Sequence, residues 1–293
     1  MKQRKGRLMC CLAAAVLFFA AGAAGAEQET DLDMDELLGL DVEEIEIEDI
    51  ETPWLFPVAL KDLNPEYIRL ANKHYLLEKD YVPEDLVKVP KNPEEGGIKW
   101  AVTPSDGKLK GMYLREECAR ALCEMNAAMR QQEGFRVMYL KSAYRSYSKQ
   151  KTMYHNRLAS HNGKDDGWVS REGASDHQTG LGCDVVPSNW KDRGMNEKMM
   201  REKECQWMAE HCQEYGFVIR YPADKKSITE INTEPWHLRY VGIPAATYIM
   251  ENGLCLEEFA EELKEACMDY IGRGGDPEKV TKLIQTPTDE QEE

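Results

Sequence analysis

The chain has 293 residues, 42% of them hydrophobic, and carries a formal net charge of −16 from 53 acidic and 37 basic residues. That length supports one sizeable core. The acidity, without any cluster of Lys and Arg, excludes the basic surface that nucleic acid requires, and no internal repeat points to a solenoid.

Lys2, Arg4, Lys5 and Arg7 precede an apolar run from Leu8 to Ala23 that closes on Ala24-Gly25-Ala26. Residues 1–26 therefore predict a secretory signal peptide cut after Ala26. An uncleaved N-terminal anchor is the competing reading, because Leu8 to Ala26 is just long enough to span a bilayer. In both cases the basic flank stays inside, so the remainder is expected to be extracytoplasmic, with a membrane tether only through an uncleaved leader. Residues 27–51 hold thirteen Asp and Glu and no Lys or Arg, the composition of a solvated, disordered linker. With +4 in the leader, −13 in the linker and −3 in residues 272–293, only −4 remains for residues 52–271. The acidity thus belongs to a tether, and the organisation expected is a domain over 52–271 followed by a flexible polar tail over 272–293.

Within the domain, Asn72 to Leu86 is punctuated by Pro and Asp and reads as an extended arm, with His74 as a surface or packing residue. Apolar residues at spacings of three and four predict a helix from Leu114 to Arg130, which Gly134 ends before a strand within Phe135 to Tyr144. A helix over Ser146 to Leu158, capped by Ser146 or Ser148, leads through a Gly- and Asp-rich loop to a short strand, Leu181 to Val186. On that strand Gly182 and Asp184 share a face, so the missing side chain of Gly182 is expected to leave room for a metal. A long helix, Asn196 to Tyr215, stops at Gly216 before the strand Phe217 to Tyr221. A strand from Trp236 to Val241 and two helices, Pro244 to Asn252 and Leu256 to Ile271, complete an α+β domain. Seven cysteines follow the leader. Their odd number and the absence of a C-x-x-C pair predict buried small hydrophobes and no disulfide framework.

Two motifs carry chemistry. Gly173 to Val186 places His177 and Asp184 seven residues apart across a Gly-containing turn, and Glu234-Pro-Trp-His237 follows about fifty residues later. Three ligands of this kind leave a coordination position for water, which is the inventory of a catalytic zinc (Zn2+) site. On that reading His177, Asp184 and His237 are the ligands and Glu234 is the general base. Glu234 and His237 would face opposite ways on a regular strand, so the reading requires a bulge or bend at Pro235. The alternative is chance, since the chain has 6 His and 53 acids to draw from.

Ser175-Asp-His177-Gln-Thr-Gly180-Leu-Gly182-Cys-Asp184 resembles the Ser-x-His-x-x-Gly-x-Ala-x-Asp signature of the VanY-type zinc D-alanyl-D-alanine carboxypeptidases. Glu234-Pro-Trp-His237 resembles their Glu-x-x-His signature, and Ser142 to Gln150 and Tyr215 to Pro222 resemble further family segments. The resemblance implies a hedgehog/DD-peptidase-like fold, a single domain with a small, mainly antiparallel sheet flanked by helices. It also implies zinc on His177, Asp184 and His237, Glu234 as catalytic base, and Arg145 near the scissile carbonyl or substrate carboxylate. Gln150, Ser175, Tyr144 and Trp236 are then the expected substrate contacts. The substrate implied is a peptidoglycan stem peptide losing its terminal D-alanine, with no protein partner. The alternatives are an L,D-carboxypeptidase acting on tetrapeptide stems and a non-catalytic, zinc-containing wall-binding module. Gly182 stands where the family has Ala, and Glu230, Thr233 and Glu172 stand where relatives carry Gly, Tyr and Pro. These last three are expected to alter the rim of the site. Ser148-Lys-Gln-Lys151 also fits the Ser-x-x-Lys of serine D,D-peptidases, although Ser-Asp-Asn and Lys-Thr-Gly are both missing.

Overall fold

The period-two segments of the sequence build a five-stranded sheet from β1 (Lys99–Trp100), β2 (Met138–Ser142), β3 (Gly182–Pro187), β4 (Phe217–Tyr221) and β5 (Glu234–Tyr240). The structure is a computed structural model describing residues 51–288, so the expected leader and all but the last residue of the acidic linker lie outside it. Strand order is β1-β2-β3-β5-β4. Only β1 runs parallel to its neighbour; the other three pairings are antiparallel. Apart from a single turn at Lys226–Thr229, the described α-helices are α1 (Glu116–Arg130), α2 (Tyr147–Ser160), α3 (Lys203–His211), α4 (Ile243–Glu251) and α5 (Leu256–Gly272). The α+β architecture and its small, mainly antiparallel sheet are those expected.

Side-chain alternation gives the sheet two unlike faces. Leu140, Cys183, Val185, Phe217 and Leu238 pack with Cys118, Leu122 and Met125 of α1 into the main core. On the other face Val218 and Val241 join a second core with α4, α5 and the segment from Val58 to Leu70. Asp184, His237 and Arg239 share that second face, because Asp184 pairs with His237 and Gly182 with Arg239.

Three expected elements differ. The helix expected over Asn196 to Tyr215 is broken into a 3-10 turn (Glu197–Arg201), α3, and a second 3-10 turn (Cys212–Tyr215). The break falls at Glu202, whose extended backbone lets its carboxylate accept from Trp190 Nε1 at 2.7 Å and Asn189 Nδ2 at 3.0 Å. The tail expected to be loose is packed as far as residue 288, because Val280 and Leu283 enter the second core. Gln285 accepts from Leu70 N at 2.6 Å, and Thr288 Oγ1 accepts from Leu76 N at 2.8 Å. The tail thereby fastens the arm, which in turn reaches the loop before β3: Leu77 N donates to Gly173 O at 2.9 Å, and Gln178 Nε2 to Glu78 O at 2.8 Å. Third, Leu114 and Arg115 are not helical but form, with Tyr113, a short antiparallel pairing to Leu86–Lys88. The seven described cysteines are free, and no described helix is long and apolar enough to cross a membrane.

Candidate metal centre and active site

Asp184 on β3 and His237 on β5 are register partners across the antiparallel pair. His177 arrives from the 3-10 turn Asp176–Thr179, which closes on Gly180 at φ 69°, a left-handed conformation that favours glycine. One ligand atom of each residue lies within 4.8 Å of the others. His177 Nε2 is 3.5 Å from Asp184 Oδ2, and His237 Nδ1 is 3.0 Å from Asp184 Oδ1. The two imidazole planes stand at 88° with centroids 4.9 Å apart.

The protein fixes which nitrogen of His177 is available. Its Nδ1 donates to the Ala143 carbonyl at 2.7 Å, which places the proton there and leaves the Nε2 lone pair facing Asp184. Burial, with Arg145 nearby, pushes His177 down to about 4, so the ring is neutral at neutral pH and ready to ligate. Burial acts to raise Asp184, but His177 and His237 hold it well below the ordinary carboxylate range. The donor set is therefore two imidazoles and one carboxylate, buried and without a thiolate. This suits zinc in a three-ligand catalytic site.

Glu234 reaches the same point through the bend that its spacing required. Ile219 pairs with Leu238 but Tyr221 with Glu234, so two residues of β4 span four of β5. That irregularity brings Glu234 Oε2 to 3.6 Å from His237 Nδ1 on the same face. Burial and the charge of Asp184 push the Glu234 carboxyl well above its ordinary value, against the pull of Arg145. Arg145 leaves β2 after a one-residue bulge and donates its backbone N–H to His177 O at 3.1 Å. Arg145 is half-buried, with its Nε buried and unpartnered and Nη1 against Met153 Sδ at 3.0 Å. A half-buried cation in no close ion pair beside an open cavity is suited to an anionic ligand.

A cavity of about 640 Å³ brings together the expected substrate contacts and metal site: Tyr144, Arg145, Gln150, Ser175 and Trp236 line it together with His177, Asp184, His237 and Glu234. Gln150 Nε2 donates to Ser170 O at 2.6 Å, which fixes the amide orientation and leaves Oε1 as a free acceptor. Trp236 lies nearly parallel to Trp168, at 12° and 6.2 Å between centroids. Burial pushes the Tyr144 hydroxyl up to about 12. Sequence reasoning missed Trp168, and it missed Asp106, whose carboxylate accepts from Ser146 N at 2.6 Å and so holds the start of α2.

It also missed a buried charge cluster behind the ligands. Asp176 Oδ2 accepts from Arg220 Nε at 2.7 Å, and Asp176 Oδ1 accepts from Arg239 Nη1. Arg220 also grips Glu257 of α5 with both terminal nitrogens, at 2.8 and 2.6 Å. The available signal was a charged residue inside each of two short apolar strands, Arg220 between Ile219 and Tyr221 and Arg239 between Leu238 and Tyr240.

Two expectations are corrected, and the rival serine reading finds no support. The space beside Gly182 does not serve a metal: a Cβ there would lie 2.8 Å from Asp176 Cβ and 3.0 Å from Asp176 C, so the side of Asp176 fills it. Glu172, Glu230 and Thr233 do not line the cavity. Glu172 pairs with Lys151 at 3.5 Å, Glu230 approaches His74 Nε2 at 3.5 Å, and Thr233 lines an apolar groove with Pro235, Met250 and Leu254. Ser148 is exposed and its hydroxyl meets Ser146 Oγ at 3.1 Å, while Lys151 turns to Glu172, so the Ser-x-x-Lys residues form no nucleophile pair.

The family model described as VanY, D-alanyl-D-alanine carboxypeptidase, matches residues 111–243, which contain the ligands, Glu234 and Arg145. YodJ of Bacillus subtilis is 38% identical over 204 residues, covering 69% of this chain and 70% of its own. The solved structure of the LD-carboxypeptidase LdcB, described for its peptidoglycan recognition, has 38% identity and a TM-score of 0.58 over 68% of this chain and 87% of its own. VanYB in complex with D-alanine-D-alanine has 28% identity and a TM-score of 0.52 over 67% of this chain and 97% of its own.

Proposed function

This chain belongs to the VanY family of D-alanyl-D-alanine carboxypeptidases, and from that premise we propose an exported, zinc-dependent enzyme that removes the C-terminal D-alanine from peptidoglycan stem peptides. It is a carboxypeptidase of the VanY and LdcB kind, acting on peptidoglycan peptides. The observation that carries the finer reading is the convergence, in one cavity, of three buried metal-ligand candidates, a spare carboxyl raised by burial, and a half-buried guanidinium whose Nε has no hydrogen-bond partner.

His177, Asp184 and His237 would hold zinc. When bound there, zinc supplies the Lewis acidity that activates water and polarises the scissile carbonyl. Glu234 accepts the proton of the attacking water and passes it to the departing amine, a role that its raised affinity for protons suits. Arg145 receives the free carboxylate or the developing oxyanion from its desolvated position. Gln150 Oε1, an acceptor already oriented by Ser170, takes a substrate N–H. Ser175, Tyr144 and Trp236 shape the remaining walls.

One observation favours a second bond specificity. The likeness to LdcB exceeds that to VanYB in both identity and fold superposition, which supports cleavage after the third residue of a tetrapeptide stem. Mass spectrometry of pentapeptide and tetrapeptide stems incubated with the protein, with and without chelator, separates the two. Loss of D-alanine from neither stem would return the chain to the binding-module reading. Glu234→Gln is expected to keep zinc and to lose about 10²–10⁴-fold in kcat. Unchanged turnover by that variant would remove Glu234 from the proposed role.

A further inference from the structure

His237 presents Nδ1 to Asp184 and Glu234, and its other nitrogen, Nε2, is buried with no hydrogen-bond partner. A neutral imidazole that gives one nitrogen to a metal carries its proton on the other, and that proton needs an acceptor. The nearest charged acceptor is Asp176 Oδ2, 3.9 Å from His237 Nε2 and wholly buried. Tyr221, whose ring lies 5.1 Å from that of His237, sends its hydroxyl to the same oxygen at 3.4 Å.

The surroundings of Asp176 suit a carboxylate kept as an anion behind a cation site. Arg220 and Arg239 grip its two oxygens, and Glu257 balances the second positive charge. Arg239 is itself anchored by the arm, donating from Nη2 to Tyr67 O at 2.9 Å and Arg69 O at 2.7 Å. Without Asp176, two guanidiniums would face the metal-binding edge of the sheet with one counter-charge between them. The cluster is too elaborate to be needed for neutrality alone, since apolar residues of the same volume are generally no less stabilising than a buried ion pair.

Building on the zinc reading, we propose that Asp176 is a positioning residue for the metal centre: it accepts the Nε2–H of His237 and so directs Nδ1 at the ion, while screening the ion from Arg220 and Arg239. A change of less than an ångström closes the remaining 3.9 Å gap to hydrogen-bond length. Asp176 touches neither substrate nor ion; it acts through His237.

The test is zinc affinity, measured by competition with a chromophoric chelator, alongside the melting temperature of each metal-free variant. Asp176→Ala is expected to weaken zinc binding by roughly 10–100-fold, and Asp176→Asn, which keeps an oxygen acceptor, to recover part of the loss. Glu257→Gln disturbs the same cluster without facing His237 and should lower the melting temperature while leaving zinc affinity at the wild-type value. The visible spectrum of the cobalt-substituted protein should change in Asp176→Ala and not in Glu257→Gln. Wild-type affinity and spectrum in a folded Asp176→Ala would overturn the assignment. Should that variant not fold, the zinc-loaded wild type still decides the matter by nitrogen-15 NMR of its histidines: His237 must show a downfield, exchange-protected Nε2 proton, and a metal-bound Nε2 overturns the proposal. Failure of the wild type to bind zinc would instead sink the metalloenzyme reading itself.

Discussion

The two faces of β3 and β5 are cut from the same strands, and every residue of both strands is buried. One face, with Cys183, Val185 and Leu238, packs its apolar side chains against α1. The other, with Asp184, His237 and Arg239, is as dry but almost wholly polar. The first face is held by burial, which is tolerant of detail; the second is held by pairing, which is not. Of its groups, His237 Nε2 is left without a partner, as is Arg145 Nε beside the same cavity. Function is concentrated where the pairing is deliberately incomplete.

The largest test of that contrast is Arg239→Leu. It leaves Asp176 with Arg220 alone and frees the arm carbonyls of Tyr67 and Arg69, and breaking one member of a buried ion cluster costs about 3–5 kcal/mol. Urea unfolding should register that loss, although Leu adds apolar volume to a buried site. Equal or greater stability would mean that the polar face, like the other, is held by volume.

Glu257 gives a smaller effect with a pH signature. Burial acts to raise it and Arg220 more than offsets this, so its pKa is lowered in the folded chain. A depressed folded pKa contributes stability that is fully present above the unfolded carboxylate value of about 4.3 and is lost as pH falls below it. Glu257→Gln should therefore cost about 1.5–3 kcal/mol at neutral pH, the range for hydrogen bonds to charged groups. The gap to wild type should close as the medium is taken below pH 4, and a gap independent of pH would assign the loss to packing.

The same contrast explains what could be read in advance. Alternation in Phe217–Tyr221 and Gly182–Pro187 marks strands because apolar side chains on one face obey a local period. That His177, Asp184, Glu234 and His237 would come together was legible because a metal site would restrict residue types, and even the irregularity in β5 followed from their spacing. Asp176 was not legible: its partners Arg220 and Arg239 lie 44 and 63 residues away, and nothing local in Ser-Asp-His distinguishes an exposed acid from a buried one. The packed tail escaped for the opposite reason. Val280, Leu283 and Ile284 are too few to form a periodic pattern, and they bury only because the second core offers them a surface.

The contrast ends outside the sheet, where Glu230, in the turn before β5, belongs to neither face. Its φ of 56° is left-handed, which costs a residue with a Cβ roughly 1–2 kcal/mol relative to glycine. Its compensation is a contact of 3.7 Å to Lys73 Nζ and one of 3.5 Å to His74 Nε2, on side chains 37–59% exposed. Contacts so exposed contribute about 0–1 kcal/mol, and the extra freedom of glycine in the unfolded chain costs about 0.4–1 kcal/mol. Glu230→Gly should thus stabilise the protein by about 0.5 kcal/mol, the smallest effect here, because the relief of strain narrowly exceeds the two losses. Added salt screens the wild-type contacts and not the strain, so the advantage of the variant should grow with ionic strength. Urea midpoints at low and high salt measure both; a variant that is less stable at low salt and recovers at high salt would show that the two contacts outweigh the left-handed backbone.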